Sequence, residues 1–155
     1  MLVKEVMTMS PMRCKPADTI DTVAKLMLQH DCGVIPIVDG ERVLGVITDR
    51  DITCRVVAAD KTPIAIRVSD VMTHAVHTIH DDEPVEAVID LMKTSQVRRV
   101  PVVDREGKLV GIVAPSDLAP LFASTNVADF LLSVSYWNHQ TAVPAAAADD
   151  SYWLG

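Results

Sequence analysis

Residues 3 to 39 align without a gap on residues 68 to 104, and this internal repeat constrains the fold more than any other feature of the chain. Val3, Val6, Met7 and Thr8 recur as Val68, Val71, Met72 and Thr73. Val23, Leu26 and Met27 recur as Val88, Leu91 and Met92, and Pro36-x-Val38-Asp39 as Pro101-x-Val103-Asp104. Ten of the 37 aligned positions are identical. One extra residue enters between Asp104 and Gly107, after which Gly45-Val46-Ile47 falls on Gly111-Ile112-Val113 and Asp51 on Asp117. The body of the chain is therefore two copies of one unit. A unit of roughly 60 residues buries too little surface to be comfortable alone. The expectation is two copies sharing one core, with a cleft along their pseudo-twofold axis.

Each copy reads β-α-β-β-α, which places the fold in the α/β class. A short strand is expected near Met12 to Lys15 and its copy near Val76 to Ile79. Asp18 is a candidate cap for the next helix, whose apolar residues Ile20, Val23, Ala24 and Met27 recur at helical spacing. In the second copy Pro84 sits where a first helical turn tolerates it. Val34 to Val38 and Val43 to Ile47 flank a turn at Asp39-Gly40 and read as a hairpin, with Val100 to Val103 and Leu109 to Val113 as its copy. A second helix starts near Asp49 or Pro115. The divisions are 1–62 for the first repeat, 63–121 for the second and 122–155 for a C-terminal extension. All six aromatic residues lie in that extension, so the body's core is expected to be aliphatic. Val127, Phe130, Leu131 and Val134 suggest a helix over 127–136 with Asn126 as its cap, packed on the body or on a second chain. Residues 141–150 read as a flexible linker, and Ser151-Tyr152-Trp153-Leu154 as an aromatic anchor or a disordered tail.

The order of markers resembles a tandem pair of CBS domains, the modules named after cystathionine β-synthase. The markers are Val6-Met7-Thr8, Ile35-Pro36-Ile37-Val38-Asp39 and Gly45-Val46-Ile47-Thr48-Asp49-Arg50-Asp51, in order and twice over, across roughly residues 1–121. The resemblance implies a regulatory module for an adenosine compound (AMP, ADP, ATP or S-adenosylmethionine) and a homodimer in which two chains pack as a flat four-domain disc. It implies a ribose-reading role for Asp51 and a ribose or phosphate contact for Thr48. The same two residues also read as a capping box at a helix start, which needs no ligand. Arg98 and Arg99 stand just before the Val100-Pro101 strand, where the family's residues face the cleft, and arginine forks suit phosphate. Strand alternation would allow only one of the two to point inward. One site would join Thr48 and Asp51 to Arg98 and Arg99. The other would join Asp117 to the uncharged Gly33-Val34, with Ala114 in place of the hydroxyl residue, and is expected to be weak or empty. Val34 and Pro36 are further candidate contacts. Arg50 could serve a site or a dimer interface, or be a solvated helix residue. Adenine would lie between aliphatic side chains.

Composition limits the rest. The net charge of −7 and pI near 5.0 argue against nucleic-acid or anionic-membrane partners. No apolar run reaches the ~18 residues of a membrane helix. Three scattered cysteines (Cys14, Cys32, Cys54) suit a reducing, cytoplasmic setting, with a Cys14–Cys32 redox pair as a minor alternative. His74, His77 and His80 suggest a metal cluster, but strand alternation would put His77 opposite the other two. No nucleophile–base set and no phosphate-binding glycine loop is present, so no catalysis is expected and no cofactor is required beyond an adenine nucleotide as regulatory ligand. The rival reading is a structural or interaction protein that acts on an unknown effector through its dimer surface and tail.

Overall fold

The computed structural model describes residues 1–74, 76–122 and 124–135. After a 3-10 turn, strand β1 (Thr8–Met9) leads by an extended stretch to helix α1 (Ile20–His30) and the hairpin β2 (Val34–Asp39) and β3 (Arg42–Thr48). Helix α2 (Asp49–Ile52) continues directly into a π-helical turn, Thr53–Val57. The second repeat runs β4 (Thr73–His74), β5 (Ile79–His80), α3 (Val85–Ser95), β6 (Val100–Val103), β7 (Leu109–Val113) and α4 (Pro115–Leu118). Helix α5 (Ser124–Ser135) follows.

The two copies are built alike at the residue level. Ile20, Val23 and Met27 bury one face of α1, and Val85, Val88 and Met92 bury the same face of α3. Both helices end on a left-handed residue at equivalent positions, Asp31 (φ 48) and Gln96 (φ 54). The cap of α1 is Thr19, whose hydroxyl accepts from Thr22 N–H at 3.3 Å. The expected cap, Asp18, instead accepts from Lys15 N–H at 2.7 Å and closes the preceding turn. Pro84 occupies the cap position of α3. The expected strand at 12–15 shrinks to one parallel bridge between Cys14 and Ile37, whereas its copy pairs Ile79 with Val102 as a two-residue strand.

The sheets do not follow the sequence boundaries of the repeats. One sheet runs β1-β7-β6-β5 and the other β2-β3-β4. The lead-in of the first repeat thus lies on the second repeat's sheet, Thr8 opposite Ile112. The lead-in of the second lies on the first repeat's sheet, Thr73 opposite Val46. Backbone bonds fix both crossings: Val3 N–H donates to Glu83 C=O at 2.9 Å, and its counterpart Val68 N–H donates to Asp18 C=O at 2.9 Å. Glycine permits the approach. A Cβ on Gly45 would overlap the Thr73 carbonyl, and one on Gly111 would overlap the Met7 side chain.

The expectation of one shared core is overturned. There are two buried clusters, one beneath each sheet and helix. Val3 is buried with Val88, Met92 and Val102 of the second repeat, and Val68, Val71 and Met72 with Val23, Ile37 and Ile47 of the first. The exchanged lead-ins join the repeats in place of a common core, helped by a hairpin-to-hairpin contact in which Leu109 N–H donates to Glu41 C=O at 2.8 Å. The clusters are almost wholly aliphatic; Phe130 and Val134 of α5 complete the second, with the Phe122 and Phe130 rings stacked at 4.9 Å. Helix α5 therefore packs on the body. It begins at Ser124, so Asn126 lies inside it rather than at its cap. The aromatic tail, including Tyr136, Trp137, Tyr152 and Trp153, and the linker at 141–150 lie outside the described residues. His74 and His80 fall on different sheets, so the single-strand alternation expected for His74, His77 and His80 does not exist.

Candidate functional site

The β3–α2 junction is where chemistry concentrates. Thr48 is extended (φ −116, ψ 160) and caps α2. Its hydroxyl accepts from Asp51 N–H at 3.0 Å and donates to Asp51 Oδ2 at 2.9 Å, and Thr48 N–H donates to the same oxygen at 3.0 Å. The capping box is therefore complete. It engages Oδ2 and leaves lone pairs on Oδ1, since an ionised carboxylate has about four acceptor positions. Capping and ligand reading are compatible uses of one side chain. Asp51 is 9% exposed, and its Oδ1 faces the Arg55 guanidinium at 3.4 Å. Arg55 is itself held by the Val71 carbonyl at 2.6 Å. Sequence reasoning missed Arg55; its spacing of four from Asp51 on a helix was the available signal.

A cavity of about 420 Å³ opens at this junction between the repeats. Thr48 and Asp51 of the first repeat line it together with Arg98 and Arg99 of the second. Val34, Val46 and Val97 supply aliphatic walls, and Thr73 comes from the exchanged lead-in. Both arginines line the cavity, contrary to the alternation argument, because they precede β6 and are not in a pleated strand. Arg99 Nη1 donates to the Arg98 carbonyl at 2.8 Å.

The pseudo-twofold mate is a second cavity of about 560 Å³. Thr8, Ile112, Ala114 and Asp117 stand there where Thr73, Val46, Thr48 and Asp51 stand in the first. Only half a capping box survives: Ala114 N–H donates to Asp117 Oδ2 at 2.7 Å, and no hydroxyl returns the bond. Gly33 and Val34 line this cavity as well as the first. So does Arg99, which makes the second cavity less bare of charge than the sequence suggested. His30, Asp31 and Cys32, at the end of α1, were not foreseen as lining residues.

Two candidates fall away from both cavities. Pro36 is buried in β2 opposite Val46, two residues beyond Val34 and about 7 Å further along the same strand face. Arg50 is exposed on α2 and lines neither cavity; its N–H donates to the Asp49 carboxylate at 2.7 Å. Burial, then the charge of Asp18, then Cys32, push the Cys14 thiol up to about 11, and burial also raises Cys32. Both are protonated near neutral pH and poor nucleophiles. Among the described residues no group of three or more His, Cys, Asp or Glu side chains could hold a metal ion, and no helix is long and apolar enough to cross a membrane.

Comparison with known proteins agrees with this architecture. The CBS domain family model matches twice, over residues 3–57 and 68–124. The chain belongs to the CBS-domain family. It is a tandem CBS pair, a class of non-catalytic regulatory, ligand-sensing modules. It is 40% identical over 120 residues to the CBS domain-containing protein YhcV of Bacillus subtilis (strain 168), covering 76% of this chain and 82% of that one. It is similar in structure to Hypoxic Response Protein I solved with two coordinated zinc ions, with TM-score 0.71 and 29% identity over 79% of this chain and 100% of the other. It is also similar to the CBS domain pair of protein MJ0100 in complex with 5′-methylthioadenosine and S-adenosyl-L-methionine. There the TM-score is 0.69 and the identity 35%, over 79% of this CBS pair and 100% of that chain.

Proposed function

We propose that this CBS pair is a regulatory sensor that binds an adenosine nucleotide or S-adenosylmethionine in the cleft between its repeats. The observation that carries the reading is the first cavity, whose lining gathers Thr48 and Asp51 from one repeat and two arginines from the other. Asp51 Oδ1 is suited to accept from ribose hydroxyls, and Arg98 and Arg99 to donate to phosphate. Val34, Val46 and Val97 offer an apolar slot for a purine. The MJ0100 pair, which holds two adenosine compounds, supports this ligand class. Because the cavity draws on both repeats, a ligand bridging them favours the repeat orientation that it fits best, and an effector protein reads that difference.

Two chains are proposed to pack as a homodimer. Leu28 on α1, Val57 after α2 and Ile64 in the turn packed against α1 are large apolar side chains at least 60% exposed, on neighbouring elements. Calorimetric titration of ATP, ADP, AMP and S-adenosylmethionine into the purified protein tests the ligand reading. Saturable binding of at least one of them, lost in Asp51→Ala, is expected. A folded protein that binds none of the four refutes the sensor and leaves the interaction-protein reading.

A further inference from the structure

The two cavities are unequal in a way that couples them. Arg99 lines both. Its counterpart in the first repeat is Val34, which also lines both but brings no charge. Pseudo-symmetry thus provides two positions that line both cavities, and only one of them is a cation. The first cavity is lined by Arg98 in addition, as well as by Asp51. In the second, the charged lining groups among the described residues are Arg99, Asp31 and Asp117, beside His30. Arg99 is exposed, and its hydrogen bond goes to a neighbouring carbonyl rather than to a carboxylate, so its guanidinium is not locked to either side.

We infer that Arg99 is a single shared phosphate donor for which the two cavities compete, so that each chain binds one phosphate-bearing adenosine ligand tightly while the other cavity is left selective for an uncharged or cationic one. The inference rests on the sensor reading and specifies its regulation. A planar guanidinium can fork onto one phosphate at a time. Once it is drawn to the first cavity, the second presents two carboxylates to any incoming phosphate, and like charges repel across so short a gap. A nucleoside carries no phosphate and is indifferent to where Arg99 points. A sulfonium or other cationic adenosine compound is favoured by the uncompensated carboxylates. The sites are therefore anticooperative for AMP against AMP and nearly independent for adenosine against adenosine.

The test is calorimetric titration of the full chain with AMP and, separately, with adenosine, in wild type and in Asp51→Asn, which disables the first cavity. With the first cavity disabled, Arg99 is free for the second. AMP should then bind the remaining cavity about 10- to 100-fold more tightly than it binds in the second step of the wild type, the worth of a charge-assisted contact. Adenosine should bind that cavity within about twofold of its own wild-type second step. Equal AMP affinity in the two proteins overturns the inference and leaves the sensor reading intact. Absence of AMP binding to the wild type overturns the inference alone where ATP, ADP or S-adenosylmethionine still binds, and both readings where none of the four does. Arg98→Ala guards against misfolding of the Asp51 variant, because Arg98 is exposed. It removes the cation private to the first cavity and leaves Arg99 as the arginine that lines either one. Sharing predicts that the two AMP steps remain separated by about tenfold beyond the spacing of the adenosine steps. Collapse of the AMP spacing onto that of adenosine would refute sharing.

Discussion

Ala114→Thr isolates the physical value of the missing hydroxyl. Position 114 already has the backbone of a capping residue, φ −120 and ψ 162, against −116 and 160 at Thr48. Both values lie in the extended region, where a β-branched side chain is at ease. The Asp117 half of the box is in place at 2.7 Å, and Ala114 is half-buried at the lip of an open cavity, so a hydroxyl and a methyl can be added without displacing a core residue. The new Oγ1 would accept from Asp117 N–H as Thr48 does from Asp51 N–H. A capping hydroxyl contributes about 1 kcal/mol. For a chain of this length that raises Tm by about 2–4 °C. Thr48→Ala should lose a similar amount, and the double exchange should return close to wild type, because the two caps share no partners. Urea denaturation followed by far-ultraviolet circular dichroism measures all three proteins. If Ala114→Thr is neutral or destabilising while Thr48→Ala costs the full amount, the two helix starts are not equivalent and the reasoning is wrong.

Three further outcomes follow from the packing. Gly45→Ala meets the Thr73 carbonyl on the crossing backbone, which cannot step aside, and should destabilise by about 3 kcal/mol, whereas Gly111→Ala first meets the flexible Met7 thioether and should cost about 1 kcal/mol; equal losses in chemical denaturation would contradict this ranking. The Cys14 thiol ionises near 11 in the folded chain against an ordinary value of 9.0, so above pH 9 the unfolded state sheds its proton first and stability falls as pH rises towards 11. Wild type should therefore lose about 2 kcal/mol more than Cys14→Ala between about pH 8 and about pH 10.5, and parallel curves would show that the thiol is not the cause. Alkylation of the native protein read by mass spectrometry should modify exposed Cys54 first, half-buried Cys32 more slowly and buried Cys14 only in denaturant; early labelling of Cys14 would contradict its burial.

What could be read beforehand was local. Ile20, Val23 and Met27 announced the buried face of α1 because helical spacing is written in neighbouring residues, and the hairpins were visible for the same reason. The choice between Asp18 and Thr19 as cap was not, since both residue types cap and a shift of one position decides it. The placement of Thr8 against Ile112 was invisible, because no local pattern records a pairing about a hundred residues away. The single shared core failed for that same reason. At the candidate site, Thr48, Asp51, Arg98 and Arg99, chosen by type and position within the repeats, line the first cavity. Pro36 lines neither cavity, a matter of depth along the strand about which motif membership says nothing. That Arg99 reaches both cavities required the geometry of the segment before β6, where strand alternation does not apply.

The crossed lead-ins bear on what happens if the chain is cut. Cleavage between residues 62 and 63 would not yield two self-sufficient modules. The N-terminal fragment would lose Val68, Val71 and Met72 and open its interior to water, while carrying a Val3 whose niche had left with the other piece. Two copies of such a fragment could repair both defects by trading their leading residues. The covalent link between the repeats thus does the work of a concentration: it keeps each segment beside the one partner that completes it, and a gene for half of this chain would encode an obligate twin.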